Sequence, residues 1–162
     1  MCFGTIPTIK TVKHIYTKQG RQNMKAKKAD NIYYLRVDRG EYVIDSIKKI
    51  CLMYDIKTAS ISGIGATDKF RCGVYNVNTK QYSETEFCGV YEILSLCGNI
   101  TRFDGEPYIH AHICASDENG VVVGGHLKEA RISATCEMII TAANTSIGRI
   151  PDKATGLNIL DL

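Results

Sequence analysis

The 162-residue sequence lacks the features that would direct it to a membrane or to the secretory pathway. No stretch approaches the roughly 18 continuous apolar residues that a membrane-spanning helix needs, so we predict no membrane partner. The N-terminus has no basic-then-apolar signal segment with a small-residue cleavage site, so secretion is not indicated. The seven cysteines are scattered and contain no CxxC pair, so we expect free thiols in a cytoplasmic protein.

The composition is that of one folded domain. Apolar residues make up 44% of the chain and charged residues 23%, a balance that disfavours global disorder. The length fits one compact domain with some residues left over and is too short for two ordinary domains. The sequence contains no internal repeat, no low-complexity tract and no GxGxxG phosphate-binding loop.

The formal net charge of +3 conceals a basic start and a mildly acidic body. Residues 1–30 hold seven basic side chains and one acidic one, whereas residues 31–162 hold thirteen basic and sixteen acidic ones. We therefore predict a basic leader at residues 1–30 and a domain at residues 31–162, whose charge disfavours a broad nucleic-acid face. The leader side chains that could contact nucleic acid are Lys10, Lys13, Lys18, Arg21, Lys25, Lys27 and Lys28.

Three interpretations of this leader remain open. It can be a nucleic-acid-binding arm, or a flexible, solvated extension, which we favour because residues 1–30 show no sustained apolar period. Part of it can also be translated upstream sequence, since Met24 stands directly before a Lys-Ala-Lys-Lys run that is common at bacterial starts. In that case residues 1–23 would not belong to the native protein, and sequencing its N-terminus would show this.

The sequence predicts one clear helix and a sheet. Asp38 and Glu41 have the spacing of a capping box at a helix start. Apolar residues then follow at helical spacing, at Val43, Ile44, Ile47, Ile50, Cys51 and Tyr54. Short, strand-like runs occupy residues 32–37, 58–64, 70–77, 81–87, 91–100, 108–115, 121–123 and 132–141. We therefore predict an α+β fold, with one main helix packed on a mainly antiparallel sheet of about seven strands.

Three of the four histidines lie close together in the sequence: His110, His112 and His126. Residues two apart in a strand point to the same face, so His110 and His112 project side by side. The hairpin turn predicted at residues 117–120 folds the next strand back, and a tight pairing there puts His126 directly opposite His112. A register shifted by one residue would move His126 to the other face, unless a bulge at residues 124–125 corrected it.

Three imidazoles on one patch of sheet could hold Zn²⁺ or another divalent metal and leave one coordination position open. Cys114 continues the same alternation and is a candidate fourth ligand. Glu92 and Glu129 are candidates to accept hydrogen bonds from the outer ring nitrogens, and to act as a general base. The alternative is a polar strand face or a subunit interface that binds no metal.

Several motifs in order resemble one known family. They are YLRVDRGE at residues 34–41, SISGIGA at residues 60–66, GVYEILSLCGNI at residues 89–100, DGEPYIHAH at residues 104–112 and GGHL at residues 124–127. Together they resemble the PPC domain, the module conserved in plants and prokaryotes. The resemblance covers roughly residues 31–162, and the family's histidines fall on His110, His112 and His126, whereas Cys114 is a local departure.

The resemblance implies an α+β domain that assembles as a homotrimer. In plants such domains follow an AT-hook that contacts DNA, while the domain itself mediates oligomerisation and partner binding. This chain contains no Arg-Gly-Arg-Pro hook, so direct DNA binding by the domain is not supported. The family's partner-binding segment matches Gly89, Val90, Tyr91, Glu92, Ile93 and Leu94.

Three functions are consistent with these observations. The favoured one is a trimeric regulatory module that is associated with DNA or a protein partner, and not an enzyme. The second is a metal-binding protein, or a metal-dependent enzyme acting on a small molecule, that uses His110, His112 and His126. The third is a scaffold whose function is trimerisation itself.

Overall fold

The computed structural model describes residues 25–162, which contain one α-helix and eight β-strands. In chain order these are β1 (Lys25–Ala29), β2 (Ile32–Asp38), α1 (Val43–Tyr54), β3 (Ala59–Asn76), β4 (Gln81–Phe103), β5 (Glu106–Ser116), β6 (Val122–Ala142), β7 (Arg149–Pro151) and β8 (Asn158–Leu160). The predictions for Lys10, Lys13, Lys18, Arg21 and for a start at Met24 fall outside the described residues.

The first six strands form one antiparallel sheet in the order β1-β2-β6-β3-β4-β5. β6 is long enough to pair with β2, with β3 and, through its first residues, with β5. Strands β3, β4, β5 and β6 are therefore connected in a ring of pairings. The last two strands, β7 and β8, pair only with each other. The predicted α+β class with a mainly antiparallel sheet is confirmed.

The strands differ in length and number from the predicted ones. β3, β4 and β6 each join two runs that the apolar pattern separates, and β1, β7 and β8 were not predicted as strands. In β3 the pairing with β4 shifts register between Gly63 and Gly65 and again between Thr67 and Lys69. Such bulges interrupt the alternation of side chains while the strand continues, so they look like strand ends in a sequence.

The predicted helix is confirmed, but its start differs from the prediction. The helix begins at Val43, and the residue before it makes no side-chain cap hydrogen bond. Glu41 does accept a hydrogen bond from the Asp38 N–H (3.1 Å), as one half of a capping box would. The helix N-terminus is instead stabilised by Glu129 of β6, whose Oε1 accepts from the Ile44 N–H at 3.0 Å.

The core lies between α1 and one face of the sheet. Val43, Ile47 and Ile50 on the helix are fully buried and belong to one apolar cluster with residues of β2 to β6. The first strand also belongs to this unit, because Ala26 is buried and Lys25–Ala29 pairs with β2. The folded domain therefore begins before residue 31. Within residues 25–162, no helix has the length and hydropathy to cross a membrane.

Candidate metal centre

The three predicted histidines meet where β5 pairs with the start of β6. His112 is directly opposite His126 in the antiparallel register, and the pairing continues to Ser116 and Val122 without a shift. The turn that sets this register is closed by a hydrogen bond from the Asp117 N–H to the Val121 carbonyl (3.0 Å). The tight pairing therefore occurs, and no bulge is needed to bring His126 to the same face.

A close approach of strands explains why glycines precede His126. A Cβ atom built on Gly125 would lie 2.7 Å from the Gly73 carbonyl oxygen of β3, a distance that real Cβ atoms essentially never show. Gly73 is also the register partner of His126. The glycine therefore allows β6 to lie against β3 while its next residue joins the histidine cluster.

The three imidazoles converge on one point. Each of His110, His112 and His126 offers one ring nitrogen, and these three atoms all lie within 4.8 Å of one another. The ring centroids are 5.2 Å apart for His110 and His126, 5.3 Å for His110 and His112, and 5.7 Å for His112 and His126. In the part of the chain that the structure describes, this is the one such group of histidine, cysteine and acidic side chains.

Burial keeps two of the imidazoles in the form that binds metals. Burial, assisted by the charge of Lys128, lowers the pKa of His126 to about 4. Burial, followed by the charge of Arg149, also lowers the pKa of His110. Both rings are therefore neutral at neutral pH, which leaves a lone pair available for a cation. Nδ1 of His126 is buried and has no hydrogen-bond partner among residues 25–162.

Tyr82 of β4 lies beside His126 and is linked to Lys128 and Glu84. The Tyr82 ring centroid lies 5.2 Å from that of His126. Lys128 Nζ lies 3.8 Å from the Tyr82 ring centroid and 3.2 Å from Glu84 Oε1. Neither Tyr82 nor Glu84 was predicted as a site residue. Nothing in the local sequence pattern shows that β4 passes beside His126, because Gly73 of β3 lies between them in the sheet.

Arg149 of β7 lies on the other side of the cluster and was also not predicted. Its guanidinium donates to Thr101 Oγ1 (2.8 Å), to Asn99 Oδ1 (2.7 Å) and to the Asn158 carbonyl (2.7 Å). The guanidinium carbon lies 4.4 Å from the Tyr108 ring centroid. Asn99 is the register partner of His110, so this arginine is anchored beside the histidines.

The other predicted site residues lie apart from this point. Cys114 is exposed on β5 opposite Gly124, and it does not belong to the converging group. Glu129 accepts hydrogen bonds from the N–H groups of Ile44 and Ala130, and burial raises its pKa. Glu92 lines a cavity with Leu94 and Glu137. No hydrogen bond connects either glutamate to a histidine within residues 25–162.

The predicted partner segment, residues 89–94, lies within β4 and is partly exposed. Val90 and Leu94 expose 70% and 51% of their surface, whereas Ile93 is buried. The Tyr91 ring packs edge-on against Phe70, with centroids 5.2 Å apart. This alternation leaves two apolar side chains of the segment available for a partner.

The fold and the site together define a class: an α+β sheet domain with three convergent histidines on the sheet surface. The family model of the Plants and Prokaryotes Conserved (PCC) domain matches residues 24–144. The chain belongs to this family, which is also written PPC, and the resemblance noted in the sequence is confirmed. No curated protein matches the chain significantly.

Solved structures of similar proteins agree with this assignment. A "putative DNA binding protein" from Bacteroides thetaiotaomicron has a TM-score of 0.83 and 28% identity, covering 85% of this chain and 96% of its own. A PPC protein from Pyrococcus horikoshii has a TM-score of 0.75 and 32% identity, covering 91% and 98%. A metal-containing protein from Archaeoglobus fulgidus has a TM-score of 0.75 and 31% identity, covering 82% and 94%.

Proposed function

We propose that this PPC-domain protein binds a divalent metal ion, with Zn²⁺ as the best match, through His110, His112 and His126. The observation that carries the proposal is the convergence of one ring nitrogen from each histidine to within 4.8 Å of the others. Three imidazoles are a donor set that suits zinc. The similar Archaeoglobus protein is described as metal-containing, which supports metal binding by this chain as well.

The residues around the cluster fit such an ion. A metal is bound by neutral imidazoles, and burial keeps the pKa values of His126 and His110 below their ordinary range. The buried, unpartnered Nδ1 of His126 is a further sign of an incomplete polar site. A zinc ion with three protein ligands polarises and activates a bound water or an oxygen of a small molecule. His112 is the exposed member of the three, so solvent and small molecules reach the cluster at its ring.

Metal analysis of purified protein tests this proposal. Untagged, full-length protein prepared without chelators should carry about one metal per chain in a native mass spectrum. His112→Ala should lose most of that metal, because two imidazoles bind far more weakly than three. His14→Ala is the control, since it removes the one histidine that precedes residues 25–162, where the cluster lies. Wild-type protein that takes up no metal even from added Zn²⁺ would refute the proposal.

The same spectrum tests assembly. We propose that the chain forms a homotrimer and that exposed apolar side chains of the sheet, such as Ile64, Leu94 and Ile139, contribute to the contact between subunits. Side chains of this kind are unusual on a free surface when they cluster. We expect a species with three times the mass of one chain, and Leu94→Asp should reduce the fraction of protein in it. A wild-type monomer at micromolar concentration would contradict the proposal.

A second function, association with DNA in a regulatory role, has one specific observation in its favour. Lys25, Lys27 and Lys28 are exposed on β1, the strand at the edge of the sheet. These lysines continue the basic charge of residues 1–24. Proteins from Bacteroides thetaiotaomicron and from Ralstonia eutropha with similar structures are described as putative DNA-binding proteins.

Salt dependence tests this second function. Binding to duplex DNA should weaken steeply between about 50 and 200 mM salt, because it would depend on counterion release. A variant without residues 1–23 should bind more weakly, because it lacks four of the seven basic side chains of the leader and keeps only Lys25, Lys27 and Lys28. Equal binding by the truncated and the full-length chain would exclude residues 1–23 as the contact.

A further inference from the structure

Arg149 carries a positive charge that no carboxylate of residues 25–162 balances within ion-pair distance. The other half-buried arginines, Arg102 and Arg131, each lie within 4.0 Å of a carboxylate, from Asp55 and Asp68. Arg149 has no such partner among residues 25–162, and its three acceptors are all neutral oxygens. A partly buried cation that is anchored but not neutralised favours an anion as its missing partner.

The guanidinium still has donors to offer. It carries five N–H groups, and the three hydrogen bonds use the one on Nε and one on each of Nη1 and Nη2. One N–H therefore remains on each terminal nitrogen. Two donors therefore remain on one rigid, charged plane, a donor set that suits the oxygens of a carboxylate or a phosphate and that lysine cannot offer.

The arginine is also held in one orientation. Thr101 and Asn99 hold it from β4, and the Tyr108 ring lies 4.4 Å from its central carbon. The register pairs Asn99 with His110 and Thr101 with Tyr108. The cation is thus fixed beside His110, at the edge of the histidine cluster, and its charge contributes to lowering the pKa of that imidazole.

We propose that Arg149 binds the anionic group of a small-molecule ligand, a carboxylate or a phosphate, that lies across the histidine cluster. The contact between this anion and Arg149 needs no metal. The further contact between the same molecule and an ion held by His110, His112 and His126 rests on the proposed function. Together the two contacts would select small, negatively charged ligands over neutral ones.

Asn99→Asp is the sharpest test, because it keeps the size of the side chain and its hydrogen bond to Arg149. The new carboxylate would neutralise the guanidinium and occupy the place of the ligand's charge. Asn119→Asp is the matched control, since it adds the same charge at an exposed position of the β5–β6 hairpin. Arg149→Lys keeps the charge and removes the planar pair of donors, and Arg39→Gln removes an exposed arginine elsewhere.

Anion affinity is measured by calorimetric titration with inorganic phosphate and with acetate at constant ionic strength. The titrations use full-length protein, both zinc-loaded and chelator-treated. Zinc content is measured on every sample. We expect Asn99→Asp to bind the better of the two anions at least about tenfold more weakly than wild type, and Arg149→Lys to be weakened as well. Both controls should bind as wild type does. The better anion identifies the ligand group as phosphate or carboxylate.

The outcomes separate this inference from the proposed function. Equal anion binding by wild type, Asn99→Asp and Arg149→Lys overturns the inference, whatever the zinc content. The absence of anion binding by wild type overturns it too. If wild type holds no zinc and binds the anion, while Asn99→Asp and Arg149→Lys bind it more weakly, the proposed function fails and the anion site stands. Stronger anion binding in the zinc-loaded than in the chelator-treated protein supports a ligand that contacts both Arg149 and the metal.

Discussion

His112 lies directly opposite His126 across the β5–β6 pairing, and their ring centroids are 5.7 Å apart. This relationship depends on a hairpin of fixed length, because the antiparallel register is set by its turn. His110 joins the pair from two residues along the same strand. A metal site built in this way depends on backbone pairing more than on any flexible loop.

Gly125→Ala should damage both the fold and the proposed metal site. The added Cβ would lie 2.7 Å from the Gly73 carbonyl, so β6 and β3 must move apart. We expect a loss of about 1–3 kcal/mol in the free energy of unfolding and reduced zinc uptake. Urea unfolding and metal analysis measure the two effects.

Gly148→Ala is the control, because its Cβ would approach nothing closer than 3.9 Å. Wild-type stability of Gly125→Ala would show that the strands are looser than the structure indicates.

Cys51 and Cys136 should resist alkylation in the folded protein. Both are fully buried, and burial raises the pKa of each thiol to about 12. The reactive species is the thiolate, which is scarce at pH 8 when the pKa is that high. Iodoacetamide followed by peptide mass spectrometry should label the exposed Cys88, Cys97 and Cys114 first and these two only after unfolding. Early labelling of Cys136 would contradict the core assignment.

Replacing Glu129 by Gln should change how stability depends on pH. Burial raises the pKa of Glu129 in the folded state, so the folded protein binds more protons than the unfolded chain between the two pKa values. The free energy of unfolding therefore decreases as pH rises through that interval, and the loss is complete above it. Glu129→Gln keeps an acceptor for the Ile44 N–H and should remove this decrease.

Urea unfolding from pH 4 to 8 measures the difference between wild type and Glu129→Gln. Glu118→Gln, in the exposed hairpin, provides the control and should leave the profile unchanged. Parallel profiles for wild type and Glu129→Gln would mean that the carboxyl is solvated in the folded protein.

The pair formed by Asp68 and Arg131 should act on stability with the opposite sign. Two hydrogen bonds of 2.8 and 2.9 Å join them, and Arg131 lowers the pKa of Asp68. A lowered pKa contributes stability above the unfolded value of about 3.9 and loses it as pH falls through the folded value. Because both side chains are more than a third exposed, Asp68→Asn should cost at most about 1 kcal/mol at pH 7.

Measuring this pair at pH 7 and at pH 3 distinguishes the charge from the packing. The cost of Asp68→Asn should shrink at pH 3, whereas Asp104→Asn, at an exposed turn, should cost little at either pH. A cost that is the same at both pH values would mean that the ion pair contributes nothing.

The parts of the site that depend on local spacing could be predicted. The alternation of a strand places His110 beside His112, and a four-residue hairpin signal brings His126 opposite His112. The helix at residues 43–54 follows from its apolar period in the same way. The homotrimer and the metal itself stay predictions.

The parts that depend on distant pairing could not be predicted. Glu129 stands 85 positions from Ile44, and its carboxylate stabilises the helix start in place of the expected Asp38 cap. The strands also run on through bulges that break the sequence alternation. No local pattern distinguishes a strand that ends from one that shifts register.

By itself, the sequence determined the fold class, the helix and the three histidines, because each follows from a short-range period of the backbone. Only the tertiary structure decided what surrounds the histidines. Arg149 reaches Asn99 across 50 positions, and Tyr82 comes beside His126 through two separate strand pairings. Such contacts arise because β3, β4, β5 and β6 pair in a ring. That arrangement depends on the packing of the whole sheet rather than on residues that are neighbours in the sequence.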